Sequence, residues 1–291
     1  MTKQQFGYDS MGTKWNMHVW DTLDPAVFAA IRKEIIAQSE QFDRTYSRFI
    51  KSSLIWELTR KTGVVEVPED LTAMLRLYEK LHDLSGGKCN PLVGNTLSDL
   101  GYDAEYSLKA KPEVRPVPDF HDALRIVDDT HIELKQSVLI DVGALGKGYF
   151  VDKLAAYLKR QGVRRFLVDG SGDIYYQGDG QSIRVGLEHP GDTTKAIGVV
   201  TLGNGGMCGS SGNRRFWEGR NHILDPDSLT SPAEIVATWV IAPTAAAADG
   251  LATCLFFVAP EQFERDFRFE YCIVNREYKL KRSAGFAAEL L

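Results

Sequence analysis

Two polar side chains that could bind a cation stand close together near the C-terminal end of the sequence. Asp249 and Thr253 are four residues apart in an alanine-rich segment, residues 244–253. On a helix this spacing places both side chains on one face, and carboxylate and hydroxyl oxygens are hard ligands of the kind that Mg²⁺ prefers. A helix with an exposed aspartate and a threonine bonded to its own backbone has the same spacing, and the pair alone favours that structural explanation.

The glycine-rich segment DVGALGKG, residues 141–148, is a second candidate. Glycines let backbone amides approach a phosphate, a helix N-terminus adds partial positive charge, and Lys147 adds a full charge. The glycine spacing is G-x-x-G-x-G, which is neither the dinucleotide-binding fingerprint nor a P-loop. An anion-binding turn and a plain tight connection from strand to helix are equally good explanations of it.

His222 is the third candidate, because it follows the small, polar loop 209–212. A histidine in such surroundings could transfer protons near neutral pH, although a lone histidine is more often structural. The other five histidines are scattered along the sequence, and no histidine metal cluster is expected from them.

The pattern of apolar residues predicts the elements that must position these side chains. In the first half we expect a strand or hairpin through Trp20, a helix from Pro25, a loop or short strand at 42–49, a helix after Pro68, a loop at 90–103 and a surface connection with a short helix at 104–130. In the second half we expect a buried strand at 137–141, a helix ended by Gly162, strands at 166–168 and 237–242, a helix from about Thr244, and closing strands at 271–274 and 278–280. Helices and strands alternate without a regular βα period, which favours a mixed α+β fold.

Composition excludes several classes of protein. The chain has 291 residues, 44% hydrophobic and 25% charged, with a formal net charge of −5, and it carries no basic cluster of the kind that binds nucleic acid. An anionic substrate would therefore need local compensation from a metal, a lysine or helix N-termini. Its four cysteines form no C-x-x-C pair, and no window is apolar enough to span a membrane. No leader is recognisable, so a cytoplasmic location is expected, or a periplasmic one if a leader has been removed.

Taken together and in order, these segments resemble the ApbE-like family of FAD:protein FMN transferases. The resemblance runs from about residue 7 to residue 275, and the order of its motifs makes it specific. The matching stretches are Met11-Gly12-Thr13, Thr45-Tyr46, Pro91-Leu-Val-Gly94, Leu100-Gly101-Tyr102, Asp141 through Tyr149, Gly170-Ser-Gly172-Asp173-Ile174, Ser211-Gly212, His222-Ile-Leu224-Asp225-Pro226, and Ala242-Pro243-Thr244 through Asp249-Gly-Leu-Ala252-Thr253. The family pattern has a glycine at Ala144 and Ile-Ala at 145–146, differences that a backbone ligand tolerates.

The resemblance implies a set of site residues. A Mg²⁺ site would be formed by Asp249, the Thr253 side chain and the main-chain oxygen of Ala144. His222 becomes the proton acceptor, so the implied catalytic residues are His222 and Asp249. The implied flavin-binding positions are Met11, Tyr46, Leu100, Gly101, Tyr102, Asp141, Lys147 and Leu224.

The resemblance also implies an activity and a fold. The FMN half of FAD would pass to a threonine or serine of an acceptor flavoprotein through a phosphoester bond, with Mg²⁺ as cofactor and release of AMP. The fold would be a mixed sheet with packed helices, in the T-fold-related architecture of the family. It would form one domain over residues 1–291, with two intertwined subdomains as the alternative.

Three other functions remain open from the sequence. A Mg²⁺-dependent FAD pyrophosphatase would use the same site with water in place of the acceptor hydroxyl. A non-catalytic FAD-binding protein would keep the flavin contacts but would not need Asp249 and Thr253. A nicotinamide-dependent dehydrogenase is disfavoured by the glycine spacing at 141–148.

Overall fold

The computed structural model describes residues 3–213 and 215–291. Its helices are α1 (Pro25–Tyr46), α2 (Leu54–Leu58), α3 (Glu69–Leu84), α4 (Gly94–Asp99), α5 (Phe120–Ala123), α6 (Gly146–Arg160) and α7 (Ala245–Cys254), with 3₁₀ turns at Pro91–Val93 and Pro260–Gln262. Its strands are β1 (Gln4–Ser10), β2 (Thr13–Val19), β3 (Gly63–Glu66), β4 (Leu124–Ile126), β5 (His131–Leu134), β6 (Phe166–Asp169), β7 (Asp173–Gln177), β8 (Ile183–His189), β9 (Asp192–Leu202), β10 (Gly205–Ser211), β11 (Phe216–Trp217), β12 (Arg220–Asn221), β13 (Ile235–Ala242), β14 (Glu270–Asn275), β15 (Leu280–Arg282) and β16 (Ala288–Leu290).

An eight-stranded sheet in the order β1-β2-β6-β7-β10-β13-β14-β15 forms the centre of the molecule. Smaller sheets are β16-β9-β8, β3-β5-β4 and the pair β11-β12. The α+β prediction is confirmed. The large sheet is antiparallel at each of its pairs, where a mixed sheet was expected. Each strand of this sheet runs opposite to its neighbour, so the helix α6 between residues 141 and 166 does not serve a parallel crossover.

The two faces of the large sheet are covered differently. Alternate residues of a strand point to opposite faces, and in β14 Tyr271 and Ile273 join the core beneath α1, α3, α6 and α7. Cys272 and Val274 join a second core beneath β8 and β9. The sheet is thus the middle layer between a helical layer and a small sheet. That the chain forms one domain, with two intertwined subdomains as the alternative, stays a prediction.

Three local predictions were wrong. Residues 42–46 continue α1, because Phe42 and Tyr46 lie one turn apart and both pack into the helical core. Residues 91–99 form a 3₁₀ turn and α4 rather than a loop, since the Asn90 side chain accepts the Leu92 amide and starts the turn. In the segment 137–141, residues 138–140 are buried but form no strand, because an apolar run indicates burial and not strand pairing.

Within the part of the chain that the structure describes, every helix is too short or too polar to cross a lipid bilayer.

Candidate active site

A cavity of about 630 Å³ opens beside the large sheet, and residues of α6 and α7 line it together with residues of the sheet. Segments that are far apart in sequence line it, and eight of the predicted site residues are among them. These are Tyr102, Asp141, Ala144, Lys147, His222, Leu224, Asp249 and Thr253. The volume lies within the range of small-molecule sites, roughly 300–1,000 Å³.

Four predicted flavin-binding residues do not line this cavity. Tyr46 is buried and its ring lies 4.7 Å from that of Phe42 in the helical core. Leu100 is also buried, and its carbonyl accepts a hydrogen bond from the Trp217 indole at 2.8 Å. Gly101 follows it in a left-handed conformation, with φ 99°. Met11 is half-buried and precedes Gly12, which does line the cavity. Direct contact of these four residues with a flavin stays a prediction.

The helices α6 and α7 cap each other. In α7, Asp249 accepts the Gly148 amide of α6 at 2.9 Å, and thereby satisfies one of the amide groups that a helix start leaves free. In return, Asp152 of α6 accepts the Ala245 and Ala246 amides at the start of α7, each at 2.8 Å. The two carboxylates therefore hold the helices in a fixed relation, and Asp249 is placed at the end of α6 that faces the cavity.

Small residues allow this close approach. A methyl group at Gly148 would lie 2.3 Å from the Ala245 carbonyl oxygen and 2.7 Å from Cβ of Asp249. Gly148→Ala should therefore destabilise the protein by about 1–3 kcal/mol despite alanine's higher helix propensity, because the new methyl separates α6 from α7. Chemical denaturation measures the free energy of unfolding. Gly203→Ala is the control, since its added methyl would meet no atom within 4 Å; equal stability of the two variants would contradict the packing argument.

Asp249, Thr253 and Ala144 bring oxygen atoms to the same cavity. Asp249 is 3% exposed, and burial raises the pKa of its carboxyl group, while the nearby Lys147 and the Gly148 amide act in the opposite direction. A carboxylate, a hydroxyl and a main-chain carbonyl are hard donors. A small divalent cation would suit this donor set and would keep Asp249 ionised.

Lys147 is held at the cavity by an ion pair with Asp173. Asp173 is 1% exposed, and its Oδ1 atom has no hydrogen-bond partner among the residues that the structure describes. The Lys147 side chain is 29% exposed. A negatively charged ligand in the cavity could therefore approach a lysine whose position is already set.

The amide groups of the glycine-rich segment 141–148 are largely occupied. Six of them donate to acceptors within the protein, namely those of Asp141, Gly143, Ala144, Leu145, Gly146 and Gly148. The segment is therefore a tight, internally bonded connection rather than an open cradle of amides. Its means of attracting an anion is the Lys147 side chain.

A buried arginine that the sequence analysis missed positions Asp141. Arg48 is 3% exposed, and its Nε donates to Asp141 Oδ2 at 2.5 Å while Nη1 donates to the Tyr102 carbonyl at 2.6 Å. Its guanidinium carbon lies 4.2 Å and 4.6 Å from the ring centroids of Phe49 and Tyr102. The polarity of residues 42–49, too high for a simple core segment, was the one signal in the sequence.

Leu224 and Tyr102 supply an apolar wall. Both belong to a cluster that also contains Leu97, Leu100 and Trp217. The rings of Tyr102 and Trp217 stack with centroids 5.4 Å apart, and the Arg48 guanidinium also lies over the Tyr102 ring, so Tyr102 is fixed at the border of the cavity. Apolar and aromatic side chains at the border of a cavity suit a ligand that carries an aromatic ring system.

His222 is half-buried, and its Nδ1 atom is enclosed without a hydrogen-bond partner in the ranges 3–213 and 215–291. Burial, followed by the positive charges of Arg215 and Lys147, lowers the pKa of His222 to about 3. The imidazole is therefore neutral at pH 7. A neutral imidazole can accept a proton.

The loop that carries His222 is tied to the opposite side of the cavity. Lys88 donates to Asp225 Oδ1 at 2.6 Å and to Asp227 Oδ2 at 2.8 Å. At the start of this loop, the Asn221 side chain accepts the Ile223 amide at 2.8 Å. These contacts stabilise the loop with its histidine facing the cavity.

A cavity lined by buried carboxylates, a lysine, a neutral histidine and aromatic residues in an α+β fold is typical of a protein that binds a small molecule. The sequence model of the ApbE family matches residues 11–268, and the chain belongs to the ApbE family. The resemblance read from the sequence is thereby confirmed.

Curated relatives agree with this assignment. The chain is 26% identical over 283 residues to the FAD:protein FMN transferase of Klebsiella pneumoniae (strain 342). The aligned region covers 89% of this chain and 79% of the relative. The chain is 26% identical over 290 residues to the enzyme of that name from Escherichia coli (strain K12), with coverage of 90% and 80%. These relatives are named as transferases, which confirms the expectation that this chain is a transferase.

Solved structures of the family share the fold. The ApbE protein of Thermotoga maritima superposes with a TM-score of 0.82 at 20% identity, covering 98% of each chain. The flavin transferase ApbE of Vibrio cholerae gives a TM-score of 0.81 at 19% identity, again covering 98% of each chain. At these identities the likeness establishes the fold.

Proposed function

We propose that this protein transfers the FMN half of FAD to a threonine or serine hydroxyl of an acceptor flavoprotein, with Mg²⁺ as cofactor and AMP as the second product. The observation that carries the proposal is that Asp249 and Thr253 of α7 share one cavity with Ala144 and Lys147. The names of the relatives from Klebsiella pneumoniae and Escherichia coli support FAD as the donor.

The chain's own residues account for binding of the donor. Tyr102 and Leu224 offer apolar side chains at the border of the cavity, beside which an aromatic ring system of FAD would lie. The Lys147 ammonium group would contact the pyrophosphate, because it is the cationic group of the segment 141–148 and is oriented by Asp173. Neighbouring carboxylates would repel the pyrophosphate if no other positive charge were present.

Asp249, the Thr253 hydroxyl and the Ala144 carbonyl would hold Mg²⁺. When bound, Mg²⁺ would offset the negative charge of the pyrophosphate oxygens and make the phosphorus atom more electrophilic. Asp249 is suited to this role because its backbone partner, the Gly148 amide, fixes one carboxylate oxygen at 2.9 Å. A ligand held in this way loses little further freedom when it binds a cation.

The transfer would proceed by in-line displacement at the FMN-side phosphorus. The acceptor hydroxyl oxygen forms a bond to this phosphorus, the bond from the phosphorus to the bridging oxygen breaks, and AMP leaves with that oxygen. His222 accepts the hydroxyl proton, since its imidazole is neutral in the free protein. The pyrophosphate would offset the positive field of Arg215 and Lys147, and would make His222 a stronger base in the complex than in the free protein.

Mass spectrometry of the acceptor tests the proposal. The protein is incubated with FAD, Mg²⁺ and a candidate acceptor flavoprotein, and the acceptor should gain the mass of FMN less one water at a threonine or serine. An acceptor with that residue replaced by alanine is the control and should stay unmodified. Rapid release of AMP and free FMN without an acceptor would instead indicate a pyrophosphatase. No AMP under either condition would indicate a non-catalytic FAD-binding protein.

A further inference from the structure

Two histidines that are far apart in sequence meet where α3 ends and α5 begins. His82 lies in the last turn of α3 and is followed by Asp83, while His121 lies in α5, whose N-cap residue is Asp119. None of these four residues lines the cavity of the candidate active site. The cluster is therefore a separate feature of the fold.

Asp83 stands between the two imidazole rings. Its Oδ1 atom lies 2.7 Å from His121 Nε2 and 3.2 Å from His82 Nδ1. One ligand atom from each of His82, Asp83 and His121 lies within 4.8 Å of the others. In a tetrahedral zinc site the ligand atoms are about 3.3 Å apart, as follows from metal–ligand distances of about 2.0 Å. Small side-chain rotations would bring the three atoms to that spacing.

We propose that His82, Asp83 and His121 form a second metal site, which takes a first-row transition cation such as Zn²⁺. The ligand atoms would be His82 Nδ1, an Asp83 carboxylate oxygen and His121 Nε2. Two imidazole nitrogens with one carboxylate oxygen suit Zn²⁺ better than Mg²⁺ or Ca²⁺, which prefer oxygen ligands. The site thus differs in chemistry from the all-oxygen group around Asp249.

Each histidine has a second carboxylate on its far side. His82 Nε2 lies 3.8 Å from Asp119 Oδ2, and His121 Nδ1 lies 3.9 Å from Glu79 Oε1. Both contacts are longer than hydrogen bonds, so in the metal-free protein they are electrostatic; metal-bound histidines commonly direct their other ring nitrogen to a carboxylate.

The exposures of the three side chains fit a structural metal site with one coordination position open to solvent. The His82 side chain is 7% exposed and is held against the Phe120 ring, with centroids 5.6 Å apart. Asp83 and His121 are 53% and 50% exposed, so water can complete the coordination and the cation can enter from solvent. No catalytic step requires this cation.

The cation would connect α3 to α5. Tyr78, one turn before His82 in α3, accepts the Ala144 amide at 3.0 Å, so α3 also supports the glycine-rich segment of the active site. Fixing the end of α3 would therefore stabilise the fold near that segment. Spacing along the chain predicted no histidine cluster, because His82 and His121 become neighbours only where the fold brings α3 and α5 together.

Zinc titration of the folded protein tests the site. Titrations are made at pH 7.5 in the Asp249→Asn background, so that the outcome does not depend on the proposed Mg²⁺ site or on activity. We expect one tight equivalent of Zn²⁺ by calorimetry, and a rise in Tm of about 5 °C at a hundredfold excess of free cation over the dissociation constant. Co²⁺ in its place should give the visible absorption of a site with nitrogen ligands.

His121→Ala should lose this equivalent and the rise in Tm. His131→Ala is the matched control, because His131 is a half-buried histidine that pairs with Asp128 at 3.0 Å and does not belong to the cluster. Asp83→Asn is the second variant, and circular dichroism checks that each variant is folded. Undiminished zinc binding in both His121→Ala and Asp83→Asn, or equal loss in His131→Ala, would overturn the proposal.

Discussion

Replacing Asp249 by asparagine should lower the rate of FMN transfer by about a thousandfold or more, because the several kcal/mol of charge stabilisation that a bound cation supplies would be lost. Asparagine keeps the size of the side chain and an oxygen that can accept the Gly148 amide, so the contact between α6 and α7 should survive. Initial rates at saturating FAD and acceptor, measured over a range of Mg²⁺ concentrations, give the effect. Asp249→Ala should abolish metal-dependent transfer as well.

Asp152→Asn is the matched control for this prediction. Asp152 is the other carboxylate that joins α6 to α7, yet it does not line the cavity. Burial raises the pKa of Asp152 to about 6, so the neutral amide replaces a group that is already partly protonated near that pH. We expect lower stability but most of the turnover. Full activity of Asp249→Asn or Asp249→Ala at ordinary Mg²⁺ would remove the assignment of the metal ligands.

His222→Gln should lower kcat by about a hundredfold to ten-thousandfold, the range that general-base catalysis contributes. Glutamine keeps a polar side chain of similar length but cannot accept the hydroxyl proton. Because the proton is transferred in the chemical step, KM for FAD should change much less than kcat. His189→Gln is the control, since the His189 ring stacks on the Tyr278 ring with centroids 5.3 Å apart and His189 does not line the cavity. Equal kcat values for the two variants would exclude His222 as the proton acceptor.

The pH dependence follows from the same group. Its lowered pKa, about 3 in the free protein, means that His222 loses its ability to accept a proton only in strong acid. The acidic limb of kcat/KM, which reports the free enzyme, should therefore lie well below the ordinary histidine value of about 6.5. The limb of kcat, which reports the substrate complex, should lie at higher pH, because the pyrophosphate favours the protonated imidazole.

Arg215→Gln tests whether His222 is the group that titrates, because it should shift the acidic limb in a direction that a loss of structure alone would not produce. Removing the guanidinium takes away a positive charge that disfavours the imidazolium, and the acidic limb of kcat/KM should move to higher pH. A limb that stays in place in Arg215→Gln, or one that persists in His222→Gln, would assign it to another group.

Local patterns in the sequence determined several parts of this protein. The interval between Asp249 and Thr253 predicted that both side chains share a helix face, and both line the cavity from α7. Apolar periodicity predicted α3 and α6, because one helical face packs against the core in each case. The order of the motifs from Met11 to Thr253 predicted the ApbE family, which the match over residues 11–268 confirms.

Contacts between distant residues were decided by the tertiary structure. Nothing in the spacing predicts that Arg48 is buried against Asp141, or that Asp173 orients Lys147, because each pair joins elements that lie far apart along the chain. The segment 141–148 could bind an anion or simply turn, and only the acceptors that its amides find in the fold decide between the two.

The same distinction explains the residues that do not line the cavity. The side chains of Tyr46 and Leu100 are apolar in character, and the sequence cannot tell an apolar residue that faces a ligand from one that packs behind it. His82 and His121 likewise become neighbours only because α3 and α5 pack together. Residue type and short-range spacing thus determined which groups were available for chemistry, while long-range packing determined which of them meet, since contact energies act between neighbours in space and not along the chain.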